Sequence, residues 1–430
     1  MRRRPLHHSA GSRLAMNRRS VLAQLAGLWA ASPFGAAHSA VERPIGIPVF
    51  RRGINVSHAL GWAEVAPDGS YASPPFAQPR FHFGAEQRLA IRQAGFDFVR
   101  VVVDVGPFLA LTGEGRDQLD GHLLGVVSAL LDADLGVILD LHPSRMHPSY
   151  RPDALTAGVD TAPFKAVLAL LTHLAARLDT LAASRAPETP PRLALELLNE
   201  PEVSPAAWQP MLEAAYRAAR AGAARLPLVI GGGAMNAPTA LEAIDTRAFA
   251  GDGALLYTFH DYAPWQFTHQ GQRGNPAYVL DGVTYPAPAS PEAMMRATEV
   301  RIAGLTLDGA ERTQAKAAPR ILADYARSGF DAAALETSFN RVTAWRKARG
   351  LPAHAILLGE FGVNLTPYGR TPEGAAARAR WMSDMRTCAE RHGFAWACWT
   401  YVGPGGFALA ENEIGPGFDA ATLRALGLVR

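Results

Sequence analysis

Two glutamates in this chain stand where chemistry is done. Glu200 follows the apolar run 193–198 and Asn199, in the stretch LALELLNEPE. Glu360 follows Ile356, Leu357, Leu358 and Gly359. Short apolar runs of this kind read as strands buried on both faces of a parallel sheet. Glu196 is the one polar residue inside the first run. Pro201 stops that strand, because proline cannot donate to a sheet ladder. Both carboxyls are therefore expected at the carboxyl ends of buried strands, where α/β enzymes hold their reactive groups. Such a pair suits cleavage of a glycosidic bond. One carboxyl, protonated, gives the leaving oxygen its proton; the other, ionised, attacks the anomeric carbon. A single strand-end glutamate reads equally well as a satisfied core carboxylate or a helix cap. The pair, with Asn199 beside the first, points to a site.

The elements that must position the pair alternate along the chain. Strands are expected at 52–58, 96–104, 136–142, 193–198, 227–233, 254–262, 355–362 and 394–402. Helices are expected at 85–94, 119–134, 161–179, from Ser204-Pro205 onward, within 318–349, at 372–392 and at 420–426. In the helix over 161–179, Phe164, Val167, Leu168, Leu171, Leu174 and Leu178 mark one face at helical spacing. Eight strands alternating with helices make an α/β chain of the single (β/α)8 TIM barrel type, with strands four and seven facing each other across its mouth. An open doubly wound sheet is the alternative. The connection between strands six and seven, residues 264–353, is unusually long, and 265–288 is expected to form an insertion that walls the cleft.

Composition narrows the class. The chain has 430 residues, 48% of them hydrophobic and 19% charged, so it can bury a large core. Its net charge of +3 sits largely in the first residues, and no basic stripe suggests nucleic acid. Asn17-Arg18-Arg19-Ser20-Val21-Leu22-Ala23 resembles a twin-arginine export signal. An apolar stretch over 21–34, too short to span a bilayer, and small residues at 36–40 follow it. Residues 1–40 are thus expected to be a removable signal and 41–430 the catalytic barrel, with Met16 as an alternative start. The expected product is periplasmic or secreted, free of the membrane once the signal is cut, and a monomer. A disordered basic tail is the bland alternative. Cys388 and Cys398 are expected as buried free thiols rather than a pair.

Several short motifs reinforce the pair: Asn199-Glu200-Pro201, Gly359-Glu360-Phe361-Gly362, Arg52-Gly53-Ile54-Asn55, and Gly95-Phe96 with Val99-Arg100. Together they resemble glycoside hydrolase family 5, the cellulase family of retaining barrel hydrolases, over nearly all of the chain beyond the signal. The resemblance implies that Glu200 is the acid/base and Glu360 the nucleophile. Arg100, His142, Asn199, His260 and Tyr262 match the family's supporting residues, and Trp399 its strand-eight tryptophan. It implies a retaining hydrolase of β-1,4-glucan, an endoglucanase. The same mechanism on β-mannan, mixed-linkage glucan or another β-glucoside is the runner-up. A carbohydrate-binding pseudoenzyme without turnover is the alternative of another class.

Physical roles follow for these residues. Glu200 needs a raised pKa to start protonated, and loss of the Glu360 charge on glycosylation lets it switch to base. Asn199 can bond a sugar 2-hydroxyl. Arg100 can hold Glu360 ionised, and Tyr262 can donate to it. His142 and His260 can bind hydroxyls or tune the carboxyls. Trp399 offers a flat platform for a sugar ring, with Trp62, Trp265 and His269 as rim candidates. His142 and His147, in HPSRMHP, have no third ligand close in sequence, so neither metal nor cofactor is expected. Gly231-Gly232-Gly233 lacks the Lys-Ser/Thr of a phosphate loop and reads as a close-approach turn.

Overall fold

The computed structural model describes residues 46–428, apart from 186–191, 367, 404–405 and 411–414. The expected export signal lies outside the described residues. Eight parallel strands close into a barrel in sequence order, with the last pairing the first. They are β1 (Arg52–Leu60), β2 (Phe98–Asp104), β3 (Gly136–His142), β4 (Leu193–Glu196), β5 (Leu228–Gly231), β6 (Leu255–His260), β7 (Ile356–Glu360) and β8 (Ala395–Cys398). The open-sheet alternative is excluded by the β1–β8 pairing.

Side-chain alternation sorts each strand into an outer and an inner row. Val99, Val101 and Val103 of β2, Val137, Leu139 and Leu141 of β3, and Leu193 and Leu195 of β4 join the large cluster beneath the helices. The inner row begins apolar, with Phe98, Ile138, Ala194, Val229, Leu256 and Leu357 packed at the barrel floor. Two residues further along, the same row turns polar: Arg100, Asp140 and Glu196 are each fully buried. The sequence thus builds a greasy floor, then a charged layer, then a mouth.

The helices form as their patterns dictate. The helix Ala162–Arg185 buries Phe164, Val167, Leu171, Leu174 and Leu178 on one face. Pro372–His392 starts at Thr371, whose hydroxyl accepts from Gly374 N–H, and ends at Gly393 in the left-handed region. Ser204 caps Pro205–Gly222 with proline in its first turn. The long β6–β7 connection holds the short helix Trp265–Thr268, then Glu292–Ala303, Gly309–Ser328 and Ala332–Ala348. The helix Glu292–Ala303 escapes the sequence reading because it buries little, Met294 and Thr298 alone among its residues. Cys388 and Cys398 are free and buried.

One boundary differs in a way that bears on the site. β4 ends at Glu196, not at residue 198. Leu197 and Leu198 break the alternation, both packing into the outer cluster, so Asn199 and Glu200 ride on a loop beyond the strand.

Candidate active site

The charged layer is organised by Arg100. A guanidinium has five N–H donors, and all five are used here. Nε donates to Glu196 Oε2 (2.7 Å). Nη1 donates to Asn55 Oδ1 (2.9 Å) and Glu360 Oε1 (2.9 Å). Nη2 donates to Glu196 Oε1 (2.8 Å) and Asn199 Oδ1 (2.8 Å). Asp140 Oδ2 stands 3.1 Å from Nη2. Burial works against the charge on Arg100, but Asp140, Glu196 and Glu360 outweigh it and hold its pKa above the usual value.

Glu360 is the last residue of β7 and its side chain is 6% accessible. Its second oxygen accepts from the Tyr262 hydroxyl at 2.9 Å. Burial, reinforced by Glu360, pushes the Tyr262 hydroxyl well above its ordinary pKa, so it remains a donor. Glu200 sits differently. Its backbone φ is 43°, in the left-handed region that costs an L-residue roughly 1–2 kcal/mol. Such strain collects at functional sites. Its Oε1 lies 2.8 Å from His260 Nδ1, and its side chain is 26% accessible. The carboxyl lies deep enough that burial pushes its pKa up to about 7, against the opposing pull of His142 and Arg100. Burial lowers the pKa of His260, leaving the ring neutral.

His142 packs its ring against Trp399, with centroids 5.9 Å apart and planes 18° from parallel, while Trp62 meets it edge-on at 5.2 Å. His142 Nδ1 bonds Asp140 Oδ2 at 2.8 Å and Nε2 faces Asn199 Nδ2 at 3.3 Å. Burial opposes protonation of His142, but Asp140 more than compensates and raises its pKa. Hydrogen bonding resists that tendency. Arg100 claims Asn199 Oδ1, so Nδ2 must face His142 as a donor, and a protonated Nε2 would set donor against donor.

These groups open into a cleft of about 1380 Å³. Arg100 lies beneath it, and His142, Asn199, Glu200, His260, Tyr262, Glu360 and Trp399 line it. The structure thus brings together all the site residues expected from sequence. Trp62, Trp265 and His269 reach it too, with Trp265 37% exposed. The β6–β7 insertion walls the cleft through Trp265, Gln266, His269, Gln272, Asn275 and Pro276. His147 instead bonds Gly69 O and stacks on Tyr71, taking no part. Asp140 was missed as a site residue, although it lies two residues before His142 on the same strand face. Asn55, legible only as a motif residue, bridges Arg100 and Gly359 O.

Glu200, His260 and Glu360 bring ligand-type atoms within 4.8 Å of one another. Their partners oppose a metal there: a cation at Glu360 would have to compete with the Arg100 guanidinium. The arrangement suits proton transfer beside a second carboxyl that a guanidinium holds.

Fold and site together define a (β/α)8 barrel with two carboxyls paired at the carboxyl-terminal mouth of β4 and β7. The family description "Cellulase (glycosyl hydrolase family 5)" matches residues 85–403, and the chain belongs to that family. It is 22% identical over 410 residues to Endoglucanase 3 of Fibrobacter succinogenes, a match covering 90% of this chain and 55% of that protein. It is 30% identical over 188 residues to Endoglucanase C of Acetivibrio thermocellus, covering 42% of this chain and 50% of the relative. Each match thus spans about half the relative's length. Among solved structures, the endoglucanase Cel5A of Thermotoga maritima superposes with a TM-score of 0.60 at 21% identity, covering 88% of this chain and 97% of Cel5A. At that identity the likeness concerns the fold.

Proposed function

We propose that this chain is a retaining β-glycosidase acting within β-1,4-glucan. The observation that carries the reading is the spacing of Glu200 and Glu360, whose carboxylate oxygens approach within 4.8 Å. Retaining enzymes hold their carboxyls about 5 Å apart, whereas inverting ones leave room for a water. Glu200, with its pKa near 7, gives its proton to the glycosidic oxygen as the bond to the anomeric carbon breaks. Glu360, oriented by Arg100 and Tyr262, attacks that carbon and forms a glycosyl ester. Its charge is then gone, so the pKa of Glu200 falls. Glu200 takes a proton from water, the water oxygen attacks the anomeric carbon, and the ester bond breaks to free Glu360. Asn199 is poised for a sugar 2-hydroxyl, and Trp399 for a ring face.

The endoglucanase names of both relatives favour glucan. One observation favours a second reading: Cel5A has been solved with mannotriose as well as cellobiose, so β-mannan is the competing substrate. Purified protein assayed on carboxymethyl cellulose, lichenan and mannan tests both. Reducing ends from cellulose, with the anomeric configuration retained by NMR, are expected. Release from mannan alone would replace the glucanase reading, and no release from any β-glycan would leave a binding protein. Export belongs to the same proposal; processing near residue 40 in the periplasmic or culture fraction, read by N-terminal sequencing, checks it.

A further inference from the structure

The turn after β5 has an unusual backbone. Ala234 (φ 47°), Met235 (φ 58°) and Asn236 (φ 54°) follow one another in the left-handed region. Consecutive strained L-residues persist only where their surroundings over-determine them. Here the surroundings include the loop that carries Glu200. Ala234 N–H donates to Val203 O at 2.7 Å and Met235 N–H to Pro201 O at 3.1 Å. The glycines before the turn permit this approach. A Cβ on Gly233 would stand 2.8 Å from Val203 O, and one on Gly231 would stand 2.5 Å from Asn236 Oδ1.

The turn sends its last two side chains in different directions. Met235 looks into the cleft, 52% exposed. Asn236 turns inward and is fully buried. Its amide Nδ2 meets His260 Nε2 at 3.5 Å, while the opposite ring nitrogen, Nδ1, holds Glu200. Asn236 Oδ1 is buried without a partner among the described residues. A polar side chain held there at the cost of an unsatisfied acceptor is not explained by packing.

We infer that Asn236 is a positioning residue for the Glu200 proton, acting through His260. The inference rests on the proposed acid/base role of Glu200. With Nδ2–H directed at Nε2, the ring carries its one proton on Nδ1 and donates it to Glu200 Oε1. The acid proton of Glu200 is then left on Oε2, free for a leaving oxygen. In the other tautomer Nδ1 is an acceptor and draws that proton into an internal hydrogen bond, away from substrate. Burial keeps His260 neutral, so one tautomer must be chosen. The other groups bearing on the pair are Glu360 from β7, Arg100 from β2, and Asp140 and His142 from β3. Glu196 of β4, Tyr262 beyond β6 and Glu202 of the Glu200 loop complete the set. They form the same background in the wild type and in the variants below.

Nitrogen-15 NMR of the His260 imidazole reads the tautomer without any substrate. The wild type should show Nδ1 protonated and Nε2 bare. Asn236→Asp keeps the size and tolerates the left-handed backbone, but offers only acceptors. It should move the proton to Nε2 and lower kcat roughly 100-fold with KM little changed, the scale of a lost general acid. Asn236→Gly keeps the turn at ease and removes the amide. It should lower kcat about 10-fold and alter the pH profile above neutrality. A wild-type ring protonated on Nε2 overturns the inference, as does a tautomer that Asn236→Asp leaves unchanged. If the tautomers behave as expected but the wild type hydrolyses no β-glycan, the glycosidase reading fails and the control of His260 by Asn236 stands.

Discussion

Glu360 and Glu200 point into the same cleft from unlike settings. Glu360 ends a strand and lies inside the ladder, opposite His260 of β6. Its two oxygens are taken by a buried guanidinium and a phenol. Glu200 lies four residues beyond its strand, on strained backbone, with Oε1 on a neutral histidine and, among the described residues, no ion pair to a guanidinium. A cation at 2.9 Å stabilises an ionised carboxylate. Burial against a neutral ring stabilises the acid. Two chemically identical side chains are thereby placed in contrasting settings, and the proposed division of labour rests on that contrast.

Replacing Glu360 with Gln breaks the comparison most severely. With the proposed nucleophile removed, kcat should fall on the order of 10⁵-fold. Activated aryl glycosides should fare no better than cellulose, because attack itself is lost. Activity retained on aryl glycosides would move the nucleophile elsewhere.

Glu200→Ala should behave differently on the same pair of substrates. Loss of proton donation should cost roughly 10²- to 10⁴-fold on cellulose, and far less on a dinitrophenyl glycoside whose leaving group needs no proton. Azide should restore turnover with a retained-configuration product; an inverted product would exchange the two roles. The wild-type pH profile is part of this prediction. The reactive form carries the proton, so kcat/KM should decline as pH rises through about 7, the pKa to which burial pushes Glu200. The variant should lose that alkaline limb on the activated substrate.

Arg100 tests what the two settings share. Arg100→Met leaves Glu196, Asp140 and Glu360 buried around an uncharged side chain. Breaking buried pairs in this way costs about 3–5 kcal/mol, visible as a large drop in thermal midpoint. Stability should return in part at low pH, where the orphaned carboxylates take up protons. A variant as stable as the wild type at neutral pH would contradict this charged layer.

How much of this was legible in sequence divides along the same line. The barrel and Glu360 were legible because apolar strands and a strand-end glutamate leave a local pattern. Arg100 was reached through the motif Val99-Arg100 and the family resemblance, although its bonds to Asn55 and Glu196 depend on barrel closure. Asp140 could have been found by alternation from His142. The early end of β4 was hidden, since Leu197 and Leu198 look like more strand. Asn236 left no signal, because its role depends on three left-handed residues that no apolar period encodes.

Tyr262→Phe gives the mildest and most selective test of the contrast. It deletes one hydroxyl, which donates to Glu360 Oε2 at 2.9 Å, and leaves Glu200 on His260. A hydrogen bond to a charged group contributes about 1.5–3 kcal/mol, so kcat should fall roughly 10- to 100-fold. The loss should be similar on cellulose and on the activated aryl glycoside, because it acts on the proposed nucleophile. The alkaline limb near pH 7 should hardly move, since burial rather than Tyr262 is the main cause of the raised Glu200 pKa. A limb displaced by a full unit would mean that the phenol couples the two carboxyls, and their settings would then no longer be separable.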